Sequence, residues 1–133
     1  MEENSMVAKK LPCCGVERFL VLLDGPWATL IVRELLGGPR RFTELRGMLP
    51  AISAHTLTHR LRRFEEHGLV TRMAYAETPP RVVYELTELG LSLRDILYAM
   101  KDWGDALPDK ILNRSTISLV EQQRGELGCG VET

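Results

Sequence analysis

Two histidines and three arginines lie between positions 55 and 63, within the stretch AISAHTLTHRLRRFEEHGLV (residues 51–70). Such side chains can bind a metal ion, another protein, or the phosphates and base edges of a nucleic acid. His55 and His59 have the spacing of the zinc-binding histidines in the HExxH motif, but Thr56 stands where that motif has its catalytic glutamate. Since no nearby carboxylate on the same face would complete a third ligand, we predict no metal site.

The stretch is predicted to form one amphipathic helix. Ser53 is a suitable N-cap because its hydroxyl can accept a hydrogen bond from the N–H group of Thr56. Gly68 is the residue type that favours the left-handed conformation at the end of a helix. Large apolar residues at helical spacing would form the buried stripe, namely Leu57, Leu61 and Phe64.

The opposite face of this helix is polar. Its outward residues, at about 100° per residue, are His55, His59, Arg62 and Glu66, with Thr56, Thr58 and Arg63 at the edges. Compact polar side chains come first along this face and arginines follow. This order is typical of a helix whose first turns read base edges in the major groove while later cations contact phosphate. An ordinary solvated face is the alternative interpretation.

The elements around this helix can be predicted from periodicity and from Gly and Pro. The expected order is helices over 15–23, 26–35 and 42–49, the helix just described, strands over 69–75 and 81–86, and a last helix from the Thr87 cap to about residue 104. A short helix, a tight break, a second helix and then a two-stranded ribbon make a winged helix-turn-helix. The predicted fold class is therefore α+β, mostly α.

The charges are unevenly distributed along the 133 residues, whose formal net charge is −1. Residues 40–81 contain eight arginines and four glutamates, a net charge of +4, whereas residues 82–133 have a net charge of −4. A basic middle segment beside an acidic end suggests that the middle contacts a polyanion. Ordinary solvated surface also gives such asymmetry, so this observation only supports the helix argument.

The chain is long enough for one domain with tails. We expect a flexible arm over 1–12, a DNA-binding and dimerisation domain over 13–107, and a C-terminal tail of uncertain structure over 108–133. No apolar run approaches the roughly 18 residues of a membrane span. The odd number of cysteines, Cys13, Cys14 and Cys129, argues against a disulfide framework and for a reducing compartment, so we expect a cytoplasmic protein without membrane contact.

The last predicted helix is too apolar for one face on so small a domain, so we expect it to bury against a second copy of the chain together with the first helix. The predicted interface residues are Phe19, Leu93, Ile96, Leu97, Met100 and Trp103. A twofold dimer would present two copies of the polar helix to successive major grooves, about 34 Å apart. The alternative is a helix buried in the core of a single protomer.

Several blocks of sequence together resemble one family. They are Cys14 with Val16-Glu17, Trp27, GPRRFTEL (residues 38–45), Ile52-Ser53, Leu61-Arg62, Gly68-Leu69-Val70, and PPRV (residues 79–82) with Tyr84 and Leu86-Thr87. In type and order these blocks closely resemble the HxlR-type winged helix-turn-helix transcriptional regulators, relatives of the MarR group, over about residues 13–104. The chain differs at 55 and 59, where members often have a cation and a longer polar residue, and at Pro26, commonly a basic residue.

The resemblance implies a homodimeric DNA-binding transcriptional regulator without a cofactor, acting on an inverted-repeat operator in double-stranded DNA. The resemblance and the argument from the helix face together suggest a set of DNA-contact residues. They are Arg41, Thr43, Ser53, His55, Thr56, Thr58, His59, Arg62, Arg63 and Arg81. Many members resemble sensors of oxidants or electrophiles, with the thiol at the position of Cys14. Cys14 precedes the first helix, where N–H groups and the helix dipole favour thiolate.

Other interpretations stay open at this point. Cys13 is a second candidate thiol, and Cys129 could act as a resolving cysteine. The regulator could instead respond to a ligand in the dimer cleft, or the winged helix could serve only for protein contact. A thiol enzyme would need a base near a cysteine, but the histidines all lie in or beside the predicted DNA helix. No phosphate-binding glycine loop, serine elbow or carboxylate pair is evident, so we do not expect an enzyme.

Overall fold

A computed structural model describes residues 13–112, which form a mixed α and β fold. Its helices are α1 (Gly15–Leu22), α2 (Pro26–Leu35), α3 (Phe42–Met48), α4 (Ala54–Glu66), α5 (Glu88–Leu91) and α6 (Arg94–Asp105), followed by a 3-10 turn (Asp109–Ile111). Its strands are β1 (Arg40–Arg41), β2 (Val70–Tyr75) and β3 (Arg81–Leu86). The predicted winged helix-turn-helix fold class is confirmed.

The ends of α4 form as the sequence predicts. Ser53 is the N-cap, and its Oγ accepts a hydrogen bond from the N–H of Thr56 at 3.0 Å. Gly68 follows the helix with a φ of 78°, a conformation that side chains with a Cβ rarely adopt. The preceding helix α3 starts after Arg41, whose N–H donates to Oε1 of Glu44 at 2.8 Å. Both helices of the motif therefore begin at defined residues.

The wing is an antiparallel hairpin of β2 and β3, paired from Val70 with Leu86 to Tyr75 with Arg81. The sheet has a third strand that the sequence prediction missed. β1 pairs with β3 on the side away from β2, so the strand order is β1-β3-β2. A strand of two residues has no periodicity, so only its pairing with the wing identifies it. This pairing ties the start of α3 to the base of the wing.

The prediction of a single last helix from Thr87 to about residue 104 is wrong, because the structure has two helices there, α5 and α6. Thr87 caps α5, accepting from the N–H of Gly90 at 3.1 Å, and also donates to the Gly68 carbonyl at 2.6 Å. The N–H of Leu93 then bonds to the Gly90 carbonyl at 3.1 Å, a tighter turn than an α-helix makes. Helix α5 packs on β3, whereas α6 packs on α2. The break between them lets the chain make both contacts, which one straight helix would not make.

The core lies between α2, α3, α4, the wing and α6. Its most completely buried large side chains are Phe64, Ile31, Leu35, Leu45, Leu49, Ile52, Leu57, Leu61, Leu69, Val32 and Val70. The stripe predicted for α4, Leu57, Leu61 and Phe64, is fully inside it. Within residues 13–112, no helix has the length and apolar character that a membrane span requires.

Candidate nucleic-acid interface

The face of α4 turned away from the core is open to solvent. His55, Thr58, His59 and Arg62 are exposed, while Thr56 and Arg63 are half-buried at its edges. The structure therefore brings together, on one surface, six of the residues predicted to contact DNA. In the part of the chain that the structure describes, no three histidine, cysteine or acidic side chains are grouped so as to hold a metal ion.

The three arginines of α4 have different surroundings. Nη1 of Arg60 lies 2.7 Å from Oδ1 of Asp24 in the turn between α1 and α2, and the Arg60 side chain is only 18% exposed. This hydrogen bond is the main reason why the pKa of Asp24 lies below its ordinary value, and the charge of Arg63 adds to the effect. Arg62, by contrast, makes no ion pair or hydrogen bond with any described residue. Sequence reasoning missed the Arg60 pair, because nothing local links residues 36 positions apart.

The hydroxyls at the start of α4 already make internal hydrogen bonds. Ser53 Oγ accepts from the Thr56 N–H and donates to Thr56 Oγ1, both at 3.0 Å. These two predicted contact residues therefore orient the first turn and retain acceptor capacity toward a ligand. Arg41 and Thr43 are exposed at the start of α3.

The arginine predicted to contact DNA from the wing, Arg81, is engaged within the protein. Its Nη2 lies 2.7 Å from Oε2 of Glu77, and its Nε lies 3.1 and 3.2 Å from the two oxygens of that carboxylate. Its guanidinium also stacks over the Tyr75 ring, 3.8 Å from the centroid. The hydrogen bonds with Glu77 raise the pKa of Arg81, and those with Arg81, helped by the charge of Arg41, lower the pKa of Glu77.

The two cysteines before α1 are both exposed, and neither forms a disulfide with a described residue. Cys14 is the N-cap residue of α1. The backbone N–H groups of Glu17 and Val16 hold the pKa of the Cys14 thiol below its ordinary value, as expected for a thiol at the start of a helix. Cys129 lies outside the described residues, so the suggestion that it resolves an oxidised Cys14 stays a prediction.

The residues predicted to form a dimer interface lie in two environments. Leu93 and Leu97 are only 7% and 8% exposed and belong to the protomer core. Ile96, Met100 and Trp103 are 45%, 49% and 70% exposed along α6. Phe19 is half-buried against the core, while its neighbours Val16, Leu20 and Val21 on α1 are exposed. Any interface on this side would therefore use the outer side chains of α1 and α6.

The geometry of an exposed polar helix beside a hairpin wing agrees with comparisons to known proteins. A family model described as HxlR-like helix-turn-helix matches residues 22–112. The chain belongs to this family. The resemblance inferred from the sequence blocks is thereby confirmed, and the protein is a transcriptional regulator of the helix-turn-helix type.

Named relatives of the protein are transcriptional regulators. The chain is 39% identical over 98 residues to the helix-turn-helix-type transcriptional regulator YdeP of Bacillus subtilis (strain 168), covering 74% of this chain and 77% of that one. The redox regulator HypR, solved in its oxidised form, has 38% identity and a TM-score of 0.67, over 71% of this chain and 98% of its own. The regulator YodB from B. subtilis, solved in its reduced form, has 37% identity and a TM-score of 0.62, over 71% of this chain and 93% of its own. YodB has also been solved in a quinone-bound form.

Proposed function

We propose that the protein is a homodimer that binds an inverted-repeat site in double-stranded DNA, with the outward face of α4 in the major groove. The observation that carries this proposal is the free, polar face of α4, on which Arg62 has no partner inside the described part of the protein. An exposed arginine on an otherwise ordered helix is available for a phosphate or for the O6 and N7 acceptors of guanine. The regulator family to which the chain belongs supports the same role for the motif.

Substitutions on α4 test the DNA-binding role. Arg62→Ala and His59→Ala should each weaken binding to operator DNA, the arginine by roughly 1–3 kcal/mol if it contacts a base or an ordered phosphate. Arg94→Ala on α6 is the matched control, since it removes an exposed arginine outside the motif. Fluorescence anisotropy with DNA from upstream of the gene provides the affinities. Unchanged affinity in the Arg62 and His59 double variant would remove α4 from the interface.

We further propose that Cys14 is the site at which an oxidant or electrophile changes DNA binding. The thiol is exposed, and nearby backbone N–H groups favour its anionic form, which is the nucleophile. With hydrogen peroxide, the thiolate attacks one oxygen, the O–O bond breaks, and the leaving hydroxide takes a proton to become water. The resulting sulfenic acid forms a disulfide with a second thiol, either a partner-chain cysteine or a small thiol, and releases water. Among the similar proteins, HypR is a redox regulator and YodB has been solved with a quinone bound.

A pair of neighbouring cysteines allows a closely matched test. The Cys13→Ser protein should lose or gain operator affinity on treatment with peroxide or a quinone as the wild type does, and dithiothreitol should reverse a disulfide. The Cys14→Ser protein should keep its affinity under the same treatment. A Cys14→Ser protein that responds like wild type would exclude this thiol as the sensor and favour a ligand or another cysteine.

A further inference from the structure

We infer that Glu77 is an internal substitute for a DNA phosphate, which holds Arg81 in the free protein and must be displaced when the wing contacts the duplex. The inference rests on the proposed DNA-binding function. On this inference, Glu77 is a residue of the wing that lowers operator affinity.

The contact has the geometry of a charge-assisted fork. Nε and Nη2 of Arg81 both face the Glu77 carboxylate, at distances of 2.7 to 3.2 Å. A planar guanidinium binds carboxylate and phosphate through the same parallel N–H donors. The carboxylate therefore occupies the Nε–Nη2 pair, one of the two parallel donor pairs through which Arg81 could bind a backbone phosphate.

Neighbouring groups fix this arrangement at the end of the wing. Tyr75 pairs with Arg81 at the last position of the β2–β3 ladder, and its ring covers one face of the guanidinium. The N–H of Glu77 donates to the Tyr75 carbonyl at 2.9 Å, so a tight backbone turn directly after Tyr75 sets the position of the glutamate. The ring thus covers one face of the guanidinium, and Glu77 lies at its Nε–Nη2 edge.

Glu77 also affects a second predicted DNA contact. The charge of Arg41 contributes to the stabilisation of the Glu77 carboxylate, so the glutamate lies within the field of both arginines. Arg41 reaches this place because β1 pairs with β3, with Arg41 opposite Val83. One carboxylate thus offsets part of the positive charge of two side chains that were predicted from the sequence to approach DNA.

The exchange has a consequence for the salt dependence of binding. When Arg81 moves from Glu77 to a phosphate, the phosphate releases a condensed cation. The carboxylate, which is already ionised, loses its cationic partner, and its unneutralised negative charge beside the duplex retains a cation in turn. The contact should then contribute little to the salt slope of wild-type binding. Without the carboxylate, each phosphate contact contributes about 0.9 to the slope of log K against log salt.

The experiment compares wild type, Glu77→Gln and Glu85→Gln in binding to one operator duplex at several salt concentrations. Glu85 is an exposed glutamate on β3, at alternate spacing from Arg81 and hence on the same face of the hairpin, so its substitution removes the same charge without releasing an arginine. Glu77→Gln should bind roughly 3- to 10-fold more tightly and show a salt slope steeper by about one. Glu85→Gln should change the affinity by less than about twofold, as exposed charges do.

A double-mutant cycle with Arg81→Ala completes the test. The gain from Glu77→Gln should disappear when Arg81 is absent, because the glutamate acts through that arginine. Equal effects of Glu77→Gln and Glu85→Gln would show that Glu77 acts only through its contribution to the net charge. Weaker binding by Glu77→Gln would show that the ion pair orients Arg81 for contact with DNA. Both outcomes overturn the inference while wild-type binding persists. A wild type that binds no duplex at any salt would overturn the proposed function itself.

Discussion

Gly90 is the residue at which the wing meets the C-terminal helices. It is buried in α5, and a Cβ added there would overlap the backbone carbonyl of Leu69 and lie 2.8 Å from Cδ2 of Leu86. A backbone carbonyl cannot move aside as the end of a flexible side chain can. Any residue with a Cβ at position 90 would therefore force the backbone to shift. Gly90 therefore allows α5 to approach the start of β2 as closely as the Thr87 cap requires.

We expect Gly90→Ala to lower the free energy of unfolding by about 1–3 kcal/mol or more, the usual cost of overpacking. Urea unfolding followed by circular dichroism measures the change, with an unaltered m-value showing that only stability differs. Gly47→Ala in α3 is the control, since a Cβ there meets no atom within 4 Å and alanine favours helix. Equal stability of the Gly90→Ala and wild-type proteins would mean that α5 can shift without cost.

At the residue scale, sequence reasoning succeeded where the cause is local. The Ser53 cap, the Gly68 terminator and the apolar stripe of α4 all follow from neighbours within a few positions, and all are confirmed. The partners of Arg60 and Arg81 were not predictable in the same way. Asp24 is 36 positions away from Arg60 in sequence. Glu77 is only four positions from Arg81, but the sequence does not show whether the two side chains pair with each other or point into solvent.

At the scale of elements, the Asp24–Arg60 pair joins the α1–α2 turn to α4. Periodicity predicted the helices on both sides of this contact but not their relative placement, which depends on packing. The same limitation explains the missed strand β1 and the undivided last helix. Both features arise from contacts between separate segments, β1 with β3 and α5 with β3, rather than from a local pattern.

We expect Asp24→Asn to lower the free energy of unfolding by about 0.5–1 kcal/mol at neutral pH, the range for partly exposed ion pairs. The pKa of Asp24 is lowered in the folded state, so the wild-type advantage exists above the unfolded pKa of about 3.9 and is lost as the pH falls through the lower folded pKa. Unfolding of wild type and Asp24→Asn at pH 7 and at pH 3 measures the difference in their free energies of unfolding. Asp102→Asn on α6 is the control, and a pH-independent difference would contradict the ion-pair explanation.

At the scale of the whole molecule, the exposed apolar side chains are concentrated on α1 and α6. Ile96, Met100 and Trp103 on α6 and Val16 and Leu20 on α1 are all at least 45% exposed. Apolar surface of this kind marks an interaction site more often than free surface. A second copy of the chain is the proposed partner, because the two DNA-reading helices of a twofold dimer match an inverted repeat.

Replacing Ile96 and Met100 together by Asp should produce a monomer, because two unpaired charges would be buried in the proposed interface. Leu93 and Leu97 are unsuitable for this test, since they belong to the protomer core and their substitution would unfold the domain. Sedimentation velocity measures the association state. Met73→Asp on the wing, an equally exposed apolar residue, should sediment as wild type does. A double variant that remains dimeric would place the interface elsewhere.

The Asp24–Arg60 contact has a consequence for the chemistry of the thiol. Helix α1 has eight residues and is about 12 Å long; Cys14 begins it, and the turn that follows it holds α4 through Asp24. A coupling between two sites is reciprocal, so if oxidation at Cys14 reduces operator affinity, bound operator must stabilise the thiol by the same factor. A tenfold factor corresponds to about 30 mV in a two-electron couple. The reduction potential of Cys14 would then depend on whether the protein occupies its promoter, and promoter-bound copies would be the last to be oxidised.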